Sequence, residues 1–380
     1  MNAPGKNLNQ ASEVAVAAPL AYATYEEVRA ALLARQEIAL LDVREEDPHA
    51  QAHPLFAANS PFGRLELDAP AKLPRRDVPI VTIDDGEGLA ERAAQRLLAL
   101  GYEDVKVFAG GVRGWAGAGG ELFRDVNVPS KAFGELVEAE CHTPSLSAEE
   151  VKALIDAQAD IVIVYARRFD EYQVMSIPGG TSVPGAELAL RVPLLAPNPS
   201  TRVIVNCAGR TRSLIGTQSL INVGLPNPVA ALRNGTIGWT LAGQALEHGQ
   251  ARRFPAELPD DRADIVARAR ELAQRAGVRE ARLAEVDSWC TQHERTTYFF
   301  DVRMPEEYEA GHLPGFRSVP GGQLVQETEM YAPVRGARIV LVDDDGVRAR
   351  MTASWLAQMA WEVWVLVEVP RSAFSERGAW

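Results

Sequence analysis

Cysteine is scarce: Cys141, Cys207 and Cys290 are the only three in 380 residues. So few, and an odd number, exclude a secreted disulfide framework. Long apolar runs are also missing, since no stretch approaches the ~18 residues of a membrane span. No GxGxxG turn and no P-loop Gly-Lys-Ser/Thr occurs, so no nucleotide cofactor is expected. Basic residues are outnumbered, with 39 Lys and Arg against 51 Asp and Glu and a net charge of −12. That balance argues against a general nucleic-acid or membrane binder. Of six histidines, only His49 and His53 have helical i, i+4 spacing, and Pro48 and Pro54 flank them. No metal site is expected there. The stretch AVAAPLAYA (15–23) faintly resembles a signal peptide, but Lys6 is the only upstream cationic side chain and Glu13 precedes it. Residues 1–18 are therefore expected to form a flexible tail, and the protein is expected to be cytoplasmic and reduced.

With 47% apolar and 24% charged residues the chain can build ordinary cores. Its length suggests two to four domains, and internal repeats support three. Apolar runs end near a D-V-R-like tripeptide at 40–45 (LLDVRE), 162–168 (VIVYARR) and 298–304 (YFFDVRM). A second apolar run enters a polar loop at 79–88, 202–210 and 338–346. Arg44, Arg167 and Arg303 are spaced by 123 and 136 residues, and Asp84, Cys207 and Asp343 keep the same two spacings. Repeats one and two also end alike, in FAGGVRGW (108–115) and LRNGTIGW (232–239), an ending that repeat three does not clearly keep.

Short β-branched runs such as VIVYA and RVIVN suit buried parallel strands. Helical spacing follows in 89–101, 213–223 and 350–361, and Gly224 fits a helix C-cap. The strand, loop, helix alternation predicts an α/β fold of three parallel sheets with helices on both faces. The expected boundaries are a tail 1–18, repeat one 19–125, a linker 126–142, repeat two 143–250, a linker helix 251–280 and repeat three 281–380.

Cys207 stands where the chemistry is expected. It ends a buried-type strand, and ligands in open α/β sheets sit at the carboxyl ends of strands. The loop Ala208-Gly209-Arg210-Thr211-Arg212-Ser213 leads from it into a helix start. Free N–H groups and the helix dipole there favour a thiolate and an anion. Between Glu187 and Glu247 there is no Asp or Glu in 59 residues, while Arg191, Arg202, Arg210, Arg212 and Arg233 fall inside. An anionic substrate attacked by a thiolate is the simplest reading. Cys141 and Cys290 lack such a setting.

These residues resemble the rhodanese family of sulfurtransferases. The resemblance is carried by Asp301-Val302-Arg303, Pro305-Glu306-Glu307-Tyr308 and Gly311-His312-Leu313-Pro314-Gly315. In repeat two it is carried by Glu171-Tyr172, Ile177-Pro178-Gly179, Pro184-Gly185, the Cys207 loop and Asn234-Gly235 with Gly238-Trp239. It implies three tandem rhodanese-like domains and ping-pong transfer of a sulfane sulfur through a Cys207 persulfide. The amides of Ala208 to Ser213 would cradle the persulfide, Arg210 and Arg212 would meet the donor's anionic end, and Arg167 and Glu171 would brace the domain. His312, in its turn, would be structural. Asp84 and Asp343 replace the cysteine, so repeats one and three are expected to be inactive. Tyr165 replaces the Asp found at 42 and 301. The Cys-x4-Arg spacing from Cys207 to Arg212 gives a shorter loop than the phosphatase pattern Cys-x5-Arg, which would require arginine at Ser213. Cys207-Ala208-Gly209-Arg210 differs from the Cys-Gly-Ser/Ala-Gly loop of mercaptopyruvate enzymes, favouring thiosulfate. The implied partners are a small anionic donor and a thiol or cyanide acceptor, with a protein sulfur acceptor and a persulfide relay as the alternative. No cofactor, nucleic acid or membrane is implied.

Overall fold

The computed structural model describes residues 19–258, 262–292 and 294–379. The expected tail, 1–18, lies outside them. Three sheets follow one another along the chain. The second runs Ser145–Leu146, Val229–Leu232, Arg202–Asn206, Ile161–Tyr165, Thr181–Ser182, every neighbour parallel. The third repeats that order with Arg279–Ala281, Glu362–Leu366, Arg338–Val342, Thr297–Asp301 and Arg317–Ser318. The first has Ala21–Ala23, Val105–Phe108, Ile80–Ile83, Ile38–Asp42 and Ala58–Asn59.

The central strands are short and β-branched because helices cover both of their faces. Val203, Ile204 and Val205 are each fully buried, as are Ile339, Val340 and Leu341. Capping side chains set where several helices start. Ser147 Oγ accepts from Glu150 N at 3.2 Å while Glu150 accepts from Ser147 N at 2.7 Å. Between repeats one and two lies the helix Val128–Cys141, and between two and three the helix Ala263–Arg275, shorter than the expected 251–280. Residues ahead of the latter pack on repeat two instead, with Phe254 N donating to Ser182 O.

The repeats are packed against each other rather than strung out. Val334–Arg335 of repeat three adds an antiparallel edge to the first sheet, pairing with Ala39 and Ile38. Tyr298 donates to Lys72 O at 2.7 Å, and Trp355 donates to Ser219 Oγ at 2.8 Å. Gly185 of repeat two touches Gly322 of repeat three backbone to backbone. Arg348, fully buried, crosses from repeat three to Glu187 of repeat two at 2.7 Å.

Candidate active site

Cys207 lies at the carboxyl end of Arg202–Asn206, the middle strand of the second sheet, and is 3% exposed. Four loop residues later the helix Thr211–Asn222 begins. The loop is bent by its carbonyls. Cys207 O accepts from Thr236 N, and Ala208 O accepts from Ile237 N, both at 2.9 Å. Those donors belong to the first turn of Gly235–Leu241. Gly235 has φ +54°, and a Cβ there would sit 2.3 Å from Cys207 O and 2.6 Å from Gly209 O. Only glycine lets this turn approach the loop so closely.

With the carbonyls drawn outward, the amides are left over. Among the described residues, no acceptor meets the N–H of Ala208, Gly209, Arg210, Thr211, Arg212 or Ser213. The first helical bond is Leu214 N to Arg210 O. Cys207 Sγ lies 3.5 Å from Ser213 Oγ, which itself donates to Arg210 O at 2.8 Å.

The other repeats show what such amides bind. In repeat one Asp84, at the cysteine position, accepts from the N–H groups of Gly86 (3.0 Å), Leu89 (2.7 Å) and Ala90 (3.1 Å). In repeat three Asp343 accepts from Gly346 (3.1 Å) and Ala349 (2.8 Å). Asp345 accepts from Val347 (2.7 Å) and Arg348 (3.0 Å). By the 123 and 136 spacings these amides correspond to Gly209 through Ser213. Carboxylates therefore occupy this cradle in two repeats, and a cysteine faces an unfilled one in the third. Burial, then the neighbouring Asp345, pushes the Asp343 carboxyl up.

The arginines are placed differently from the sequence expectation. Arg212 makes a two-pronged bond to Glu171, at 2.9 and 3.1 Å. Arg167 holds the same carboxylate, with Nε at 2.7 Å, and its Nη1 donates to the Tyr165 hydroxyl at 2.9 Å. Burial opposes ionisation of Glu171, but Arg212 and then Arg167 overcome it and hold the carboxyl at about 2. Repeat three copies the pair as Arg348 and Glu307, although Asp343 stands there at the position of Cys207. The Arg212–Glu171 bond is thus a brace that fixes the helix start. Arg210 is partly exposed and turned to Glu135 and Glu138 on Val128–Cys141. So the acid-free stretch does not make an acid-free surface: three carboxylates arrive from outside it. Arg202 is at the opposite end of its strand, ~16 Å from Cys207. Arg191 bonds Glu187, and Arg233 bonds Ser145, neither at the loop.

Tyr165 explains why Arg167 joins this carboxylate. Asp42 and Asp301 each grip their own arginine, Arg44 at 2.6 Å and Arg303 at 2.6 Å. With tyrosine at 165 that grip is gone, and Arg167 turns to Glu171 instead. Two buried groups escaped the sequence reading. Glu187 links the second repeat to Arg348, and Asn206, beside Cys207, has neither amide atom partnered among the described residues. Repeats one and three carry Ile83 and Val342 at the position of Asn206, and that apolar-to-polar change was the available signal. Cys141 and Cys290 are exposed and free.

The chain belongs to the rhodanese-like domain family, which matches it three times, at residues 24–118, 147–242 and 283–368. It is similar to the crystal structure of a thiosulfate sulfurtransferase from Pseudomonas aeruginosa, with 71% identity and a TM-score of 0.94, over 95% of this chain and 69% of that one. An anaerobic ergothioneine biosynthesis enzyme from Chlorobium limicola matches 92% of this chain and 95% of its own at 17% identity and TM-score 0.29, too unlike to carry an argument. No curated protein matches the sequence. No helix among the described residues is long and apolar enough to cross a membrane.

Proposed function

We propose that this protein is a thiosulfate sulfurtransferase that works through Cys207 alone. The carrying observation is the row of loop amides after Cys207 that meet no acceptor among the described residues, whose counterparts in the other repeats are closed by Asp84, Asp343 and Asp345. The Cys207 thiolate attacks the outer sulfur of thiosulfate. A cysteine–sulfur bond forms, the sulfur–sulfur bond of thiosulfate breaks, and sulfite leaves with the electron pair. The loop amides of Ala208 to Ser213 hold the anionic persulfide. A thiolate or cyanide then attacks its terminal sulfur, giving a new persulfide or thiocyanate and returning the Cys207 thiolate.

Arg210, at the rim, exchanges its surface carboxylates for the donor's sulfonate end, while Arg212 keeps the loop in place through Glu171. Repeats one and three are inactive because a carboxylate is no sulfur nucleophile and already fills the cradle. A cytoplasmic setting agrees with three free cysteines. The persulfide-relay alternative gains no support from the likeness to a thiosulfate sulfurtransferase. The test is intact mass after incubation with thiosulfate. The wild type should gain one sulfur, about 32 Da, and Cys207→Ser none. A gain on both proteins would overturn the assignment of Cys207, and a gain on neither would remove thiosulfate as donor.

A further inference from the structure

Repeats two and three face each other across a local twofold axis. Gly185 touches Gly322 and Gly321 touches Ala186, and the 136 spacing exchanges these two contacts. The bond from Trp355 to Ser219 joins a residue to its own counterpart, so it lies on the axis. Each half of the interface therefore shows what the other would contain if the two repeats were alike.

Arg348 and Arg212 are such counterparts, and they meet different groups. Arg348 crosses the interface to Glu187 at 2.7 Å. The counterpart of Glu187 is Gln323, which is 8% exposed and lines a small space at the interface together with Arg212 and Arg168. Where Arg348 has a carboxylate from the neighbouring repeat, Arg212 has a neutral amide.

This exchange is one of several with the same sign. Asp301, Asp344 and Asp345 hold Arg303 and Arg348 in repeat three, and their counterparts in repeat two are Tyr165, Ala208 and Gly209. Beside Asp343, two arginines thus meet five carboxylates: those three, Glu307 and, from across the interface, Glu187. Beside Cys207, Arg167 and Arg212 are 14% and 19% exposed and meet only Glu171. The nearby acids are engaged elsewhere. Glu187 holds Arg191 as well as Arg348, Asp170 holds Arg168, and Glu135 and Glu138 hold Arg210 at the rim. A largely buried guanidinium without a matching carboxylate is costly, and an anion taken up at the loop amides, one of them Arg212 N–H, removes that cost.

We propose that Gln323, a residue of the inactive third repeat, is a specificity-determining residue of the Cys207 site. By withholding from Arg212 the second carboxylate that Arg348 has, it keeps positive charge beside the loop amides and selects an anionic sulfur donor. Arg212 stays bonded to Glu171 and acts on the donor through its charge. Position 323 lies outside that brace, so a charge placed there changes the field without loosening the loop. The inference rests on the reading that an anionic donor is taken up at Cys207.

The test is Gln323→Glu, which gives Arg212 the partner that Arg348 has in Glu187, with Gln323→Met as the neutral control. Cys207 is alkylated in the full chain by iodoacetate and by iodoacetamide, and peptide mass mapping separates it from the exposed Cys141 and Cys290. The ratio of the two rates reports the charge met at the thiolate, because a change in the amount of thiolate cancels. Gln323→Glu should lower the iodoacetate-to-iodoacetamide ratio about fivefold. It should raise KM for thiosulfate by more, since that donor carries two charges. Gln323→Met should leave both unchanged. The proposal fails if the ratio is unmoved in Gln323→Glu, or if Gln323→Met shifts it equally. Equal slowing of both reagents overturns it too, since that marks a packing defect. A wild type that takes no sulfur from thiosulfate would remove the donor reading instead, and the reagent ratio would still decide the charge.

Discussion

Glu171→Gln separates a brace from a substrate ligand. Glu171 is held at about 2 against an ordinary 4.5, with burial opposing and Arg212 and Arg167 prevailing. At ~1.36 kcal/mol per pH unit, that difference corresponds to about 3 kcal/mol of stability. The side chain is only 18% exposed, so solvent screening takes little of it. The sign follows from a depressed carboxyl: the contribution is complete above about 4.5 and is lost as pH falls through about 2. Hydrogen exchange on the strand Ile161–Tyr165 measures the opening free energy of this repeat locally. At pH 7 the variant should open about 3 kcal/mol more easily, and the gap should shrink as pH is lowered below about 4. The same variant releases Arg212. If Arg212 merely stabilises the helix start, KM for thiosulfate rises. If Arg212 is a donor ligand held in reserve, KM falls. A gap that stays constant down to pH ~3, or a fall in KM, would refute the reasoning.

Gly235→Ala puts a methyl 2.3 Å from Cys207 O at φ +54°. It should slow sulfite release from thiosulfate by about 100-fold with circular dichroism unchanged, since misplacing a reacting group by ~1 Å costs that much; a near-normal rate would show that the turn does not hold the loop. Asp343→Cys in a Cys207→Ser background should gain no sulfur by intact mass. Asp345 would still occupy the amides of Val347 and Arg348, and a full sulfur load would show that the nucleophile alone had been missing.

Much was legible because repeats announce themselves by spacing. The 123 and 136 offsets and the β-branched runs gave the α/β class and three units, and the loop after Cys207 marked it as the proposed nucleophile. Glycine at 235 and the Asp-for-Cys exchanges were also on the surface of the sequence, since backbone approach and nucleophilicity depend on residue type. Charge partners were not. The acid-free stretch from 188 to 246 suggested two free arginines, yet Arg210 meets Glu135 and Glu138, and Arg212 meets Glu171.

Residue identity and spacing thus settle which groups can react and which elements carry them, because those follow from local chemistry and periodicity. Which carboxylate reaches which arginine depends on how helices land on one another tens of residues away. So does the edge strand Val334–Arg335 on the first sheet. These arise from packing between repeats, where a two-residue strand has no periodic signature, and only the folded arrangement decides them.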